Sequence, residues 1–383
     1  MTRLAPPARL VGIGTLTAVA ALGHLIYPAW LVLRTRGRRD PVPPEPATWP
    51  RVTVVVPAYR ERTVIAAKVH DVVANDYPGA LQVLVVADDA ATAEAARATA
   101  AEVVTNGTRL GKAQAVNVGI ESARHEIVVL TDANARLASG TLASLVRWFE
   151  DESVGAVAGE KRVLDESEGL YWRFESWLKR RESRLGATIG LVGELAAVRR
   201  SACRPMPADV EVDDLWLALD VIEGGGRIVY EPGAIAAENG TTQLAEEWER
   251  RTRIVAGALD AIWRRRALLA PGSPAAEQLW GHRLVRLSFG PLAHASLLAL
   301  ATASLRRSLA AQLFCAGHVA GGVAVVRRAR GARLSPPERL LWQMLFLQAV
   351  ALGGLTRWLT AARSGSWPKE ERVQAFPAGE MQV

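Results

Sequence analysis

Residues 126–137 read EIVVLTDANARL, an apolar run that stops at Thr131 and gives way to an acid and an amide, Asp132 and Asn134. Four successive apolar residues suit a strand covered on both faces. Asp and Asn end strands by bonding to their own backbone, so a turn accounts for the change. A metal site at the carboxyl end of a parallel strand accounts for it equally. Two more Val-rich runs, VTVVVP (52–57) and LQVLVVAD (81–88), precede this one, with helix-compatible stretches at 61–75 and 111–123 between. That alternation predicts an α/β fold, a doubly wound and mostly parallel sheet. Such sheets bind ligands at the carboxyl ends of their strands. Those ends are Pro57–Glu61, Asp88–Asp89 and Asp132–Asn134, and three acidic strand ends on one rim exceed what turn chemistry supplies.

Around this core the chain is apolar and basic. Half of its 383 residues are hydrophobic, with 46 Lys+Arg against 39 Asp+Glu. Nucleic acid is one reason for a basic balance and Arg beside membrane segments another. The arginines cluster at apolar segments, so a lipid bilayer is expected as partner and nucleic acid is not. Leu10–Leu33 is long enough to span a bilayer. A cleaved signal peptide is the alternative, but the run is too long for a signal core and Arg34, Arg36, Arg38 and Arg39 follow it at once. An anchor with its N-terminus outside is therefore expected. Three further apolar segments lie at about 287–305, 308–326 and 340–359, the first two joined by Arg306–Arg307 in a hairpin. The expected division is an anchor (1–39), a Pro-rich linker (40–50), a catalytic domain (51–265), a membrane region (266–363) and a tail (364–383). The Arg clusters place the catalytic domain on the cytoplasmic side of the plasma membrane in a multi-pass protein. Trp30, Trp342 and Trp358 sit near span ends, and His294 and His318 lie inside spans, for helix packing or a proton path. Cys203 and Cys315, the only cysteines, show neither metal spacing nor a disulfide framework, which suits a reducing compartment.

Six stretches in order, VTVVVPAYRERTVI, VLVVADDA, GKAQAVNVGIESARHEIVVLTDANARL, VGELAAVRR, VEVDDLWLALDVIEGGGRIVYEPGAIAAE and EEWERRTRIVAGAL, carry a resemblance. Residues 51–260 resemble the membrane-bound family 2 glycosyltransferases of polysaccharide synthesis, which have the GT-A fold. The resemblance implies an inverting transferase, with a nucleotide-sugar donor (a UDP-sugar being commonest) and a lipid-linked or glycan acceptor. It implies that Pro57, Tyr59, Glu61 and Asp88 hold the nucleoside, Lys112 the phosphates, and Arg250 and Arg253 the diphosphate. Asp132 and Asn134 match the family's Asp-x-Asp, which holds Mg²⁺ or Mn²⁺ against the diphosphate. Asp214 would be the general base that takes the acceptor's proton, with Asp213 positioning it; as residues, the two serve equally as an N-cap pair. Glu194 falls in a loop that the resemblance places at the acceptor site.

The chain departs from the family at Arg60 (usually Asn), Asp89 (usually Gly) and Asn134. It also lacks the Gln and Trp of the element Gln-x-x-Arg-Trp, reading RRTRI instead. A membrane scaffold that binds nucleotide-sugar without catalysis is the rival reading. A nicotinamide dehydrogenase is disfavoured, because PAYRER follows the first strand where Gly-x-Gly-x-x-Gly would be needed.

Overall fold

The computed structural model describes residues 6–105, 109, 111–164, 166–239 and 243–360. The expected tail, 364–383, lies outside them. The chain forms two compact units, one of residues 35–240 and the other of the N-terminal segment to Arg34 together with 241–361.

Among the described residues, the 35–240 unit is built on an eight-stranded sheet. Its strands are β1 (Val52–Ala58), β2 (Leu81–Ala87), β3 (Glu102–Thr105), β4 (Ile127–Thr131), β5 (Arg136–Leu137), β6 (Val154–Val163), β7 (Leu195–Arg199) and β8 (Arg227–Glu238). The order is β3-β2-β1-β4-β7-β6-β8-β5. β1 to β4, β6 and β8 run in one direction, and β7 and β5 run against them. The expected mostly parallel α/β sheet is therefore present. Ala58 pairs with Ala87, so β1 and β2 end level, and Val55 pairs with Leu130, so β4 ends about two residues short of them at the same edge. β7 is antiparallel and begins where they end, pairing Leu195 with Thr131. Acids just before β7 therefore share the rim with acids just after β4.

Helices cover the sheet. Val54, Val56, Val85 and Val129 are buried under Ile65, Val69 and Val72 of the helix Ile65–Val73, in one apolar core. Burial of each such side chain contributes about 1.5–3 kcal/mol. This core sets the strand ends at fixed spacing before any polar group acts.

The second unit is helical. Among the described residues three helices are long and apolar enough to cross a membrane: Val11–Arg34, Ala276–Ala303 and Leu309–Ala329. Two of the expected C-terminal spans coincide with such helices. The segment expected as a span over 340–359 forms the helix Pro336–Thr360, which Gln343, Gln348 and Arg357 interrupt. Its buried face packs on the amphipathic helix Leu244–Arg264, where Gly353 meets Trp248 and Gly354 meets Val255. Arg357 closes that pairing on Glu249 at 2.5 Å. Leu244–Arg264, expected to end the catalytic domain, thus belongs to the helical unit. Trp342, placed by sequence at a span end, is 3 % exposed and stacks on Phe346. His294 and His318 face each other across two spans with their Nε2 atoms 2.9 Å apart.

Candidate active site

The tips of β1 and β2 form an open cleft whose lining includes Pro57, Tyr59, Asp88, Arg109, Gly111 and Lys112. Four of the six were expected at the donor site. The Arg109 guanidinium lies 4.3 Å from the centre of the Tyr59 ring. Asp88 accepts the Gly111 N–H at 3.0 Å, tying the end of β2 to the start of the helix Lys112–Ser122. Gly111 has φ +86°, a conformation that costs glycine little, and this swings Lys112 into the rim. Glu61 is buried and its N–H donates to Thr92 Oγ1 at 2.9 Å.

Lys112 is the hub. Its Nζ lies 2.8 Å from Asp132 Oδ1 and 3.6 Å from Asp213 Oδ2. Burial works against its charge, yet Asp132 and Asp213 together hold the ammonium protonated well above the usual lysine range. Burial pushes the Asp132 carboxyl up, Lys112 pulls it down, and Glu194 and Asp213 push it up again. Asp213 and Asp214 open the helix Asp213–Glu223 from within its first turn, where the helix dipole favours an acid; the cap position itself is Val212. Burial, then Asp213, raise Asp214 to about 6. A Cβ on Gly193 would come within 3.5 Å of Lys112 Nζ and 3.7 Å of Asp214 Oδ2, so the bare glycine leaves the space beside that carboxylate open.

Two supports behind this rim were not foreseen. Lys68 is fully buried, and its Nζ donates to the Ala135 carbonyl at 2.6 Å and pairs with Asp71 at 3.3 Å. Asp71 accepts the Leu137 N–H at 2.9 Å, and Asn75 bonds Ala138 O and Leu142 N. One helix and its C-terminal end therefore hold the loop that follows Asp132. The sequence carries a trace of this, because Lys68 falls between Ile65, Val69 and Val72 on an otherwise apolar face. The second support is Lys161, bonded to Glu194 and Glu238 beneath the ring of Trp172. No local pattern announces it, since its partners come from β8 and from the approach to β7.

Of the sequence-predicted residues of the 35–240 unit, Pro57, Tyr59, Asp88 and Lys112 line the cleft, Glu61 is buried, Asp132 and Asp213 pair with Lys112, Asp214 lies beside them, and Asn134 sits in the turn after β4. Arg250 and Arg253 lie on the helix Leu244–Arg264 of the other unit. Asp132 and Asn134, expected from the sequence to hold a metal, offer oxygens of the kind that fit a hard divalent cation. Among the described residues no three His, Cys, Asp or Glu side chains are arranged to hold a metal. Such a donor set fits an ion shared with the phosphates of a bound nucleotide rather than one caged by protein alone.

The family model described as glycosyl transferase family 2 matches residues 53–205. These residues are a family 2 glycosyl transferase domain. The mannosyltransferase PcManGT of Pyrobaculum calidifontis, solved in complex with GDP-Man and Mn²⁺, superposes with a TM-score of 0.74 and is 28% identical over 91% of this chain and 98% of its own. An N-acetylglucosaminyltransferase of Mesorhizobium japonicum is 29% identical over 225 residues, 51% of this chain and 53% of its own. A beta-monoglucosyldiacylglycerol synthase of Nostoc sp. is 27% identical over 231 residues, 54% of this chain and 49% of its own. The chain thus spans about half the length of the curated relatives it matches. The glycosyl transferase domain has the mixed, mostly parallel sheet of the GT-A fold, as sequence predicted.

Proposed function

We propose that this protein is an inverting, metal-dependent hexosyltransferase that moves a sugar from a nucleoside-diphosphate donor to a lipid-linked or glycan acceptor at a membrane. The observation that carries this reading is one ammonium, Lys112, set between Asp132 and Asp213 at the edge of the cleft over the β1 and β2 tips, with Asp214 beside it. Tyr59 and Asp88 would hold the nucleoside, and Lys112 would turn from its carboxylates towards the diphosphate. Asp132 and Asn134 would hold Mg²⁺ or Mn²⁺, which when bound neutralises charge on the departing diphosphate. Asp214 would take the proton of the acceptor hydroxyl as that oxygen attacks the anomeric carbon from the face opposite the diphosphate.

The donor is a UDP- or GDP-sugar: the family resemblance favours the first, and the GDP-Man complex of PcManGT supports the second. The glucosyldiacylglycerol synthase relative and the three membrane-length helices support a lipid acceptor. The catalytic face would lie on the cytoplasmic side of the plasma membrane. The rival scaffold reading loses part of its basis, because one of the departures it rests on, Asp89, has a structural role in accepting the backbone N–H of residue 60.

Membranes containing the protein, incubated with UDP- and GDP-sugars and Mn²⁺ or Mg²⁺, should release nucleoside diphosphate from one donor. EDTA and Asp214→Asn should each abolish it. Saturable nucleotide binding without release, in membranes supplied with total host lipid as acceptor, would favour the scaffold.

A further inference from the structure

Lys161 is 2 % exposed, and its Nζ bonds Glu194 at 2.5 Å and also Glu238. The Trp172 ring covers it at 4.4 Å. Taking a lysine out of water costs several kcal/mol, and a similarly shaped methionine would fill the core without that cost. The cation therefore has a task besides packing. Its partner Glu194 is gripped at both ends: the carboxylate by Lys161, and the backbone carbonyl by Thr131 Oγ1 at 2.9 Å, from the residue before Asp132. Burial alone would raise the Glu194 carboxyl, but the Lys161 charge and hydrogen bond hold it below the usual range. The preceding residue is Gly193, whose missing side chain leaves room between Lys112 and Asp214. Residues 193–194 thus wall the space that faces Asp214, and Lys161 anchors that wall from behind.

We propose that Lys161 is a positioning residue for the acceptor side of the reaction: by anchoring Glu194 it holds the Gly193 peptide against Asp214 and keeps open the seat of the attacking hydroxyl. This rests on the transferase reading above. In the step concerned, the acceptor O–H proton passes to Asp214 and the acceptor oxygen bonds the anomeric carbon. The bond from that carbon to the phosphate oxygen breaks, and the nucleoside diphosphate leaves. Lys161 touches none of these atoms and acts through Glu194. Disturbing it should therefore slow turnover and spare nucleotide affinity.

The test uses the full chain in vesicles of total host lipid, with nucleoside diphosphate release giving kcat and calorimetry with GDP or UDP and Mn²⁺ giving Kd. Lys161→Met and Glu194→Gln should each lower kcat about tenfold or more, with Kd changed less than about threefold. The double variant should lose no more than the worse single one, because residues acting as one unit are non-additive. Lys161→Met leaves two buried acids without their cation, so Lys161→Met/Glu194→Gln/Glu238→Gln provides a charge-free core of the same shape. It should fold, bind nucleotide and remain slow. Wild-type turnover in that triple variant, additive losses in the double one, or equal loss of kcat and affinity would overturn the positioning role alone. Silence of the wild-type protein with every donor would overturn the transferase reading and this inference with it.

Discussion

Asp89 Oδ2 accepts the backbone N–H of Arg60 at 2.6 Å, across the tips of two neighbouring strands. Arg60 has φ +56°, a conformation that few non-glycine residues hold unaided. The same Asp89 carboxylate takes the N–H and hydroxyl of Thr92 and so caps the helix Ala90–Arg97. The departure at Asp89 therefore has a structural use: it holds the positive-φ turn at residue 60 through that residue's backbone. Asp89→Ala loses the cap and frees the Arg60 turn, and should cost about 1–2 kcal/mol in denaturant unfolding. Asp89→Asn, which keeps an acceptor, should cost less than half as much; equal costs would show that the hydrogen bonds do not matter.

Lys112→Met removes a cation in contact with both Asp132 and Asp213. Preorganised charge at a developing anion is worth about 10²–10³ in rate, so diphosphate release should fall by that factor. The circular dichroism spectrum should be unchanged. A fall of less than tenfold would mean that the ammonium serves only the fold.

The pH profile follows from Asp214, raised to about 6 by burial and then by Asp213. The base must be ionised, so kcat/KM should rise with pH up to a limb near 6. Asp213→Asn removes a like charge and should move that limb to lower pH. The stability sign is the reverse of the usual acidic case. Between the unfolded value of 3.8 and about 6 the folded chain binds the extra proton, so this group takes stability away as pH rises through that window. Asp214→Asn should remove that fall in a pH series of melting temperatures.

Lys68 is lowered to about 8, chiefly by burial, against the pull of Asp71. Between about 8 and the unfolded value of 10.5 the unfolded chain binds more protons, so this residue adds stability as pH rises there. Lys68→Met leaves Asp71 and the Ala135 carbonyl without their partner, and should cost about 3–5 kcal/mol in urea unfolding. The loop carrying Asp132 and Asn134 should loosen with it, so the Mn²⁺ concentration needed for half-maximal release should rise. An unchanged metal requirement in a folded variant would separate Lys68 from the site.

Much of this molecule is written locally. The Val-rich runs of β1, β2 and β4, the helices between them and the acids at their ends follow from patterns within a dozen residues, because burial on both faces demands apolar runs. From those alone the sheet, its rim and Asp132 were legible, whereas Lys112 and Asp214 came only from the resemblance to family 2 glycosyltransferases. The short β3 and β5 have too few residues to show a period, and β7 reverses direction without any local mark. That reversal brings Glu194 beside Asp132, and pairing across β6 and β8 brings Lys161 and Glu238 to the same rim. An ion pair between residues 33 positions apart leaves no periodic trace in either segment. The packing of Pro336–Thr360 on Leu244–Arg264 has the same character, with Gly353 and Gly354 opposite Trp248 and Val255 about a hundred residues away in sequence. Sequence determined which segments must be buried and which polar groups end them. Tertiary structure decided which buried charges meet, because that depends on strand order and direction, and no window of neighbouring residues records either.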